Sequence, residues 1–219
     1  DSVILDETPH GIKMSSMRVG GFWNPGGLWQ SVELLRVPAL RIDNLFVDAQ
    51  REERKINVAV AVHNDTGVAM NGKLVLDVAA LAGGSAILQR SQQVNISSSG
   101  GKFDLSSTLE SIHSWSPDDP YLYRVTVRLE TSESSDLQST NTGFRDFVFR
   151  DGYFRLNGRR IFLKSTHSVG HFPIGLHVPM NRELLRRELI YVKTMGFNTV
   201  RWLGRTMFPS QLQLCDELG

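Results

Sequence analysis

At 219 residues, with 41% hydrophobic and 21% charged residues and a formal net charge of +1, the chain has the make-up of a folded globular protein, with room for one large or two ordinary domains. Its basic residues are spread along the sequence and no run of about 18 apolar residues occurs, which argues against nucleic acid or a membrane as partner and against a transmembrane helix. A single cysteine, Cys215, excludes an internal disulfide, and its place in a helical pattern reads as a buried, inert thiol.

The chain opens "DSVILDETPH", with neither an initiator Met nor a charged-then-apolar leader, and stops at "CDELG" on a helix end. Both ends read as cut, so a piece of a longer protein is expected. "GGFWNPGGLWQSVELLRVP" is aromatic, rich in glycine and closes on one apparent strand, Ser31 to Arg36. Residues 1–38 are therefore expected to be the tail of a preceding β domain, closed by Trp23 and Trp29, with Pro38 at the boundary.

From about Arg41 to Phe149 the hydrophobic period is two. Ile56, Val58, Val60 and Val62 alternate with Asn57, Ala59, Ala61 and His63; Leu74, Leu76 and Val78 repeat the pattern. So do Tyr121, Tyr123, Val125, Val127 and Leu129. Such alternation predicts strands with one face in a core and the other in water. Turn clusters "NDTG", "MNG", "AGG", "SSSGG" and "SPDDP" separate the runs. Roughly seven short strands in about 100 residues predict an immunoglobulin-like antiparallel β-sandwich over residues 39–146. Trp115, with Pro117 and Pro120, reads as a structural anchor at a strand entry. Asn64-Asp65-Thr66 and Asn95-Ile96-Ser97 match a glycosylation sequon, which matters only in a secretory eukaryotic setting.

After Arg150 the grammar changes. "YFRLNGRRIFLK" places Asn157-Gly158 between two apolar strands, a type I′ hairpin signal. Ile161 to Lys164 is then expected as a strand leading through a loop with His167 and His171 to a helix. Asn181 is a good N-cap, Leu185, Leu189 and Val192 form an apolar stripe, and Gly196 stops the helix. Glu183 and Arg187 stand one turn apart, spaced for an ion pair. A strand, Asn198 to Trp202, and a second helix from about Pro209 to Leu218 follow. Strand, helix, strand, helix with short links is parallel βα grammar. Two such units cannot close a sheet that must be covered on both faces. Residues 147–219 are therefore expected to open a larger α/β domain, and in a (β/α)8 barrel ligands sit at the C-terminal strand ends. Those ends carry Lys164-Ser165-Thr166-His167 and Arg201-Trp202.

Taken together, "GGLWQSVELLRVP", "WSPDDPYLYRVTVRL", "GFRDFVFRDGYFRLNGRRIFLKSTH", "RELLRRELIYVKTMGFNTVRW" and "LCDELG", in this order and spacing from Gly20 to Gly219, resemble glycoside hydrolase family 2, the group of β-galactosidases, β-glucuronidases and β-mannosidases. The resemblance implies a mainly β segment: the last strand of a jelly-roll sugar-binding domain, an immunoglobulin-like sandwich, and the first βα units of a (β/α)8 TIM barrel. It implies a retaining hydrolase of β-linked glycosides, with a carbohydrate substrate and no cofactor. Its acid/base glutamate would follow an asparagine at the fourth barrel strand and its nucleophile would sit near the seventh, both beyond Gly219. Retaining chemistry needs two carboxyl groups about 5–5.5 Å apart. The barrel-side carboxylates, Asp151, Glu183, Glu188, Asp216 and Glu217, lie on helices or before the hairpin, so this segment alone is expected to be inactive.

By the same resemblance Arg201 lines the sugar pocket and supports the catalytic carboxylates; the alternative is a structural ion pair under the barrel rim. His167 and His171 are candidates to contact sugar hydroxyls, against ordinary loop histidines. Trp202 is a candidate to stack on a sugar face, against packing as core. His167, His171 and His177 lack the ligand set of a metal site. Some positions depart from the family: Thr166-His167-Ser168 stands where galactosidase-like members have Asn-Arg-His, and Gly204 where they have a histidine three residues after the arginine. Leu203 separates Trp202 from Gly204, unlike the Arg-x-Trp-Gly of β-mannosidases. The sugar and the compartment therefore stay open. The unpaired edge of two parallel strands would favour self-association. The rival reading is a non-catalytic carbohydrate-binding or structural module.

Overall fold

The computed structural model describes residues 32–168, 181–202 and 207–219. The chain divides into two units, Arg36–Lys164 with Leu212–Gly219, and Asp1–Leu35 with Ser165–Gln211. In the first unit the strands are, in chain order, β1 (Leu40–Gln50), β2 (Lys55–Asn64), β3 (Met70–Ala80), β4 (Leu88–Ile96), β5 (Gly100–Thr108), β6 (Tyr123–Glu130) and β7 (Ser135–Thr142). They form two antiparallel sheets, ordered β1-β2-β5 and β4-β3-β6-β7. This is the two-layer sandwich that the period-two pattern predicts. Its fourth strand lies beside the third rather than the fifth, unlike the constant-type immunoglobulin arrangement.

The alternation explains the core. Ile56, Val58, Val60 and Val62 of β2 meet Leu74, Leu76 and Val78 of β3, and Val125, Val127 and Leu129 of β6, in one buried cluster with Phe144. Each strand supplies every second residue, and the residues between them face outward. The outer face of the four-stranded sheet is solvated polar chemistry: Thr126 bonds Ser139 across the strands, Gln89 donates to Asp77, and Lys73 pairs with Glu130.

One edge is closed by side chains. A bulge between Ile42 and Asn44 interrupts β1. There the Ile42 N–H donates to Asp136 Oδ2 at 2.7 Å, and Gln138 Nε2 donates to the Ile42 carbonyl at 2.6 Å. Both partners come from β7, in the other sheet, so backbone groups freed by the bulge are not left unpaired. At the loop after β2, buried Asn64 is fully engaged. Its Nδ2 donates to the carbonyls of Val68 and Ser97, and its Oδ1 accepts from the Thr66 N–H and hydroxyl. In the folded chain this sequon asparagine is a turn-builder.

Beyond the sandwich, β8 (Phe147–Arg150), β9 (Tyr153–Leu156) and β10 (Arg159–Arg160) make a three-stranded antiparallel ribbon. Its two turns are alike. Asn157 and Gly158 have φ of 52° and 79°, and Asp151 and Gly152 have 54° and 78°. Positive φ at both central residues is the type I′ geometry expected of Asn-Gly; Asp-Gly is the same signal, and it builds the first hairpin, between β8 and β9.

Two expected strands are corrected by the structure. Val32–Pro38 carries no regular structure, and Val32, Leu34 and Leu35 are 76%, 101% and 71% exposed. The alternation that suggested a strand from Ser31 to Arg36 has no neighbouring strand to pair with among the described residues, and pairing makes a strand. Ile161–Lys164 is likewise not a strand. The Ile161 N–H still bonds the Phe154 carbonyl of the ribbon, and the Lys164 N–H bonds the Phe162 carbonyl two residues back at 3.1 Å, a tight turn. The strand itself begins only afterwards, at Ser165.

The second unit holds β11 (Ser165–Ser168), α1 (Arg182–Thr194) and β12 (Thr199–Trp202), and the start of α2 (Pro209–Leu218), whose later residues belong to the first unit. β11 and β12 pair in parallel, as the strand-helix-strand order predicts. No helix among the described residues is long and apolar enough to cross a membrane.

Candidate functional site

The parallel pair holds the residues that the sequence singles out, and the ends of α1 fix how the chain arrives there. Asn181 takes an extended backbone (φ −153°) and its Oδ1 accepts from the Leu184 N–H at 2.7 Å, starting the helix as expected. Leu185 and Leu189 are buried one turn apart. Glu183 and Arg187, both exposed, form no ion pair, so the pair expected from their spacing is absent; such surface pairs contribute little. The helix ends in a Schellman motif: the Gly196 N–H bonds the Lys193 carbonyl and the Phe197 N–H bonds the Val192 carbonyl. This reversal sends the chain back into β12 within a few residues.

In the register, Ser165 stands beside Thr199, Thr166 beside Val200, His167 beside Arg201 and Ser168 beside Trp202. Residues paired in this way share a face, and neighbouring strands lie about 4.8 Å apart. His167 and Arg201 are therefore neighbours on one face, and both are exposed. Thr166, Ser168, Val200 and Trp202 take the other face and are half-buried. His167 lies within a strand rather than in the loop where the sequence put it, and that shift brings it level with Arg201. An imidazole can donate from one ring nitrogen and accept at the other, and a guanidinium offers five donors in a rigid fork. Side by side they can hold a carboxylate or adjacent hydroxyls. His171 lies outside the described residues, as do His177, Trp23, Trp29 and Gly204.

The carboxylates are placed otherwise. Glu183 and Glu188 are on α1; Asp216 and Glu217 are successive residues of α2 and so diverge around its axis. Asp151 sits in the first ribbon turn, with Oδ2 3.9 Å from Arg155 Nη2. Desolvation raises Glu188 above the ordinary glutamate value, and it raises Asp216 against the opposing pull of Arg145. None of them is at the end of β11 or β12. Among the described residues no group of His, Cys, Asp and Glu is gathered as metal ligands would be.

The last turns of α2 are held in the first unit by Trp115. Its Nε1 donates to the Asp216 carbonyl at 2.8 Å, its N–H to the Phe144 carbonyl at 2.9 Å, and its carbonyl accepts from Asn157 Nδ2 at 2.9 Å. Arg145 lies over the indole at 5.6 Å. Gly219 (φ 81°) packs so near Pro117 that a Cβ would meet the Pro117 carbonyl. The anchoring role expected of Trp115 and Pro117 thus extends to a helix a hundred residues further on. Cys215, in this region, is pushed up to about 11 by burial and by Asp216 beside it. In the folded protein it should react with iodoacetamide at pH 8 far more slowly than after unfolding in guanidinium, because the thiolate is the nucleophile. Equal rates in the two states, followed by mass spectrometry, would contradict its partial burial.

Comparison with known proteins shows what the chain is similar to. The model for glycosyl hydrolases family 2 matches residues 40–145, the sandwich. A β-galactosidase of Vibrio cholerae is 28% identical over 211 residues, covering 90% of this chain and 20% of that protein. Among solved structures, a family 2 member from Bacteroides cellulosilyticus superposes with a TM-score of 0.74 at 22% identity, over 83% of this chain and 26% of that one, a likeness of fold. The apo structure of Bacteroides uniformis β-glucuronidase 3 gives 0.70 at 26% identity, over 89% of this chain and 24% of that one. The chain spans about a fifth of the length of the curated relatives it matches. The sandwich is thus matched by the model for glycosyl hydrolases family 2, and the chain is similar to one stretch of longer proteins named β-galactosidase and β-glucuronidase.

Proposed function

We propose that the parent protein is a retaining glycosidase acting on β-linked glycosides, and that this segment comprises the end of a jelly-roll domain (residues 1–38), the sandwich (39–146) and the opening of a (β/α)8 catalytic barrel (147–219). The sandwich acts as a spacer that orients the barrel. The observation that carries the reading is the register of β11 and β12, which sets His167 beside Arg201 at the C-terminal ends of two parallel strands. That is where a barrel presents its substrate. Arg201 orients the substrate and the nucleophile; His167 contacts a sugar hydroxyl.

Trp202 and His171 complete the side chains assigned to substrate binding. Trp202 is on the other face of the pair, so its contact with sugar would come where the strand ends and the alternation lapses. The catalytic glutamates belong to a part of the parent beyond Gly219, and the segment by itself is inactive and prone to self-association through its open edge. The test is an assay of the full-length parent on a panel of nitrophenyl β-glycosides, with the anomeric outcome followed by NMR. Net retention on at least one sugar is expected. A parent that turns over none of the panel, or inverts, would favour the rival reading of a carbohydrate-binding or structural module.

A further inference from the structure

The sequence as a whole is nearly neutral, but the ribbon is not. Between residues 144 and 164 stand Arg145, Arg150, Arg155, Arg159, Arg160 and Lys164, against only Asp146 and Asp151. The register of the ribbon sorts its side chains. Phe149 stands opposite Phe154 and Phe147 opposite Leu156, so one face is apolar but for Arg159, which stands beside Leu156 at its edge. Arg150 stands opposite Tyr153, and Arg155 is flanked by Val148 on one side and Arg160 on the other, so the second face is cationic.

Three features of the cationic face are costly unless something compensates them. Arg155 and Arg160 are directly opposite across a strand pair, an arrangement of like charges that disfavours the sheet. Asp151, the acid nearest Arg155 among the ion pairs of the described residues, approaches it only to 3.9 Å and is 73% exposed, too remote to neutralise the group. Arg155 Nε is buried without a hydrogen-bond partner, which leaves an N–H unsatisfied. Arg160 meanwhile lies 3.7 Å over the ring of Tyr153, so its guanidinium plane is already fixed. Arginines level with each other across a strand pair, one of them held over a ring, suit an oxyanion able to take two donors at once.

We propose that the face formed by Arg150, Tyr153, Arg155 and Arg160 binds the anionic groups, carboxylate or sulfate ester, of an acidic polysaccharide. The choice of a polysaccharide rests on the glycosidase reading above. A nucleic acid fits less well, because three guanidinia on one ribbon face fall short of the many phosphate contacts that binding to a duplex uses.

The experiment uses the full-length parent, with a chondroitin sulfate hexasaccharide as probe, an uncharged xylo-oligosaccharide of the same length and a poly-glutamate peptide as comparisons, read by calorimetry. Binding of the sulfated probe is expected to weaken roughly tenfold or more on raising salt from low to physiological strength. It should weaken by a similar factor when Arg150→Gln, Arg155→Gln and Arg160→Gln are combined. Turnover of a neutral nitrophenyl glycoside by that variant should be unchanged, which shows that it is folded; Arg150→Glu alone, at an exposed position, gives a second variant should the triple one not fold. Equal binding of the uncharged oligosaccharide, indifference to both sets of substitutions, or tighter binding of poly-glutamate would overturn the proposal, the last by pointing to an acidic protein segment instead. A parent without hydrolytic activity would sink the glycosidase reading but leave the salt-dependent binding to be measured.

Discussion

In the full-length parent, Arg201→Ala is expected to lower kcat/KM on the preferred nitrophenyl glycoside by roughly 10²–10³-fold, the scale seen when one charged or oxyanion-stabilising donor is lost from an active site. The reason is geometric. Arg201 is the penultimate residue of β12, held in register by the neighbouring strand, and its side chain is on the exposed face. Alternation places every second side chain of a strand on the same face, so the guanidinium has no route to the half-buried side without breaking the pairing. A lysine there keeps the charge but loses the planar fork, so Arg201→Lys should recover only part of the activity. If the loss falls in kcat, the arginine serves the transition state; if it falls in KM alone, it serves ground-state binding. His167→Asn, on the adjacent strand, should cost less, because the arginine would remain. An Arg201→Ala enzyme with unaltered kcat/KM would leave the strand-end site without its principal residue.

The second large effect is on stability. Phe144→Ala should cost about 3–5 kcal/mol, the range for deleting a buried aromatic ring from a packed interior. Phe144 is 0% exposed, its ring meets that of Tyr123 edge-on at 5.2 Å, and its carbonyl accepts the Trp115 N–H. The substitution therefore opens a void beneath β6 and loosens the backbone bridge on which Trp115 hangs. Hydrogen exchange in the full-length protein would show it as lost protection of amides in β6, a central strand of the four-stranded sheet. Phe46→Ala, at a ring 67% exposed on the outer face of β1, should stay within about 0.5 kcal/mol. Equal effects at the two positions would mean that the outer face is covered in the parent.

How far the sequence could be read depended on what each pattern measures. β2 is legible because its burial follows the strict alternation of valines and isoleucine, and α1 because both its ends are written in side chains, Asn181 and Gly196. β11 was misplaced by four residues because its residues, Ser165 to Ser168, are all polar or small, so apolar periodicity points instead to Ile161 and Phe162 before it. The strand expected at Ser31–Arg36 shows the opposite failure, an apolar pattern without a partner. As for the site, Arg201 was marked by its position at the end of an apolar strand. Its closeness to His167, 34 residues earlier, is a matter of parallel register, which no local pattern encodes. The ribbon's two faces were hidden for a similar reason: Arg150, Arg155 and Arg160 look scattered until the Asp151-Gly152 and Asn157-Gly158 turns fold them onto one side, with Arg159 left on the other.

The hydrogen bond from the indole of Trp115 to the Asp216 carbonyl spans 101 residues of sequence. Contacts of such separation form late, since the entropy of closing the intervening loop must first be met. On a ribosome, both sheets of the sandwich can assemble once Thr142 has emerged, well before Asp216 is made. A finished β module would then be waiting, its tryptophan already positioned, when the last turns of α2 leave the tunnel. The order of synthesis thereby gives the helix a solid surface to fold against instead of a collapsing chain.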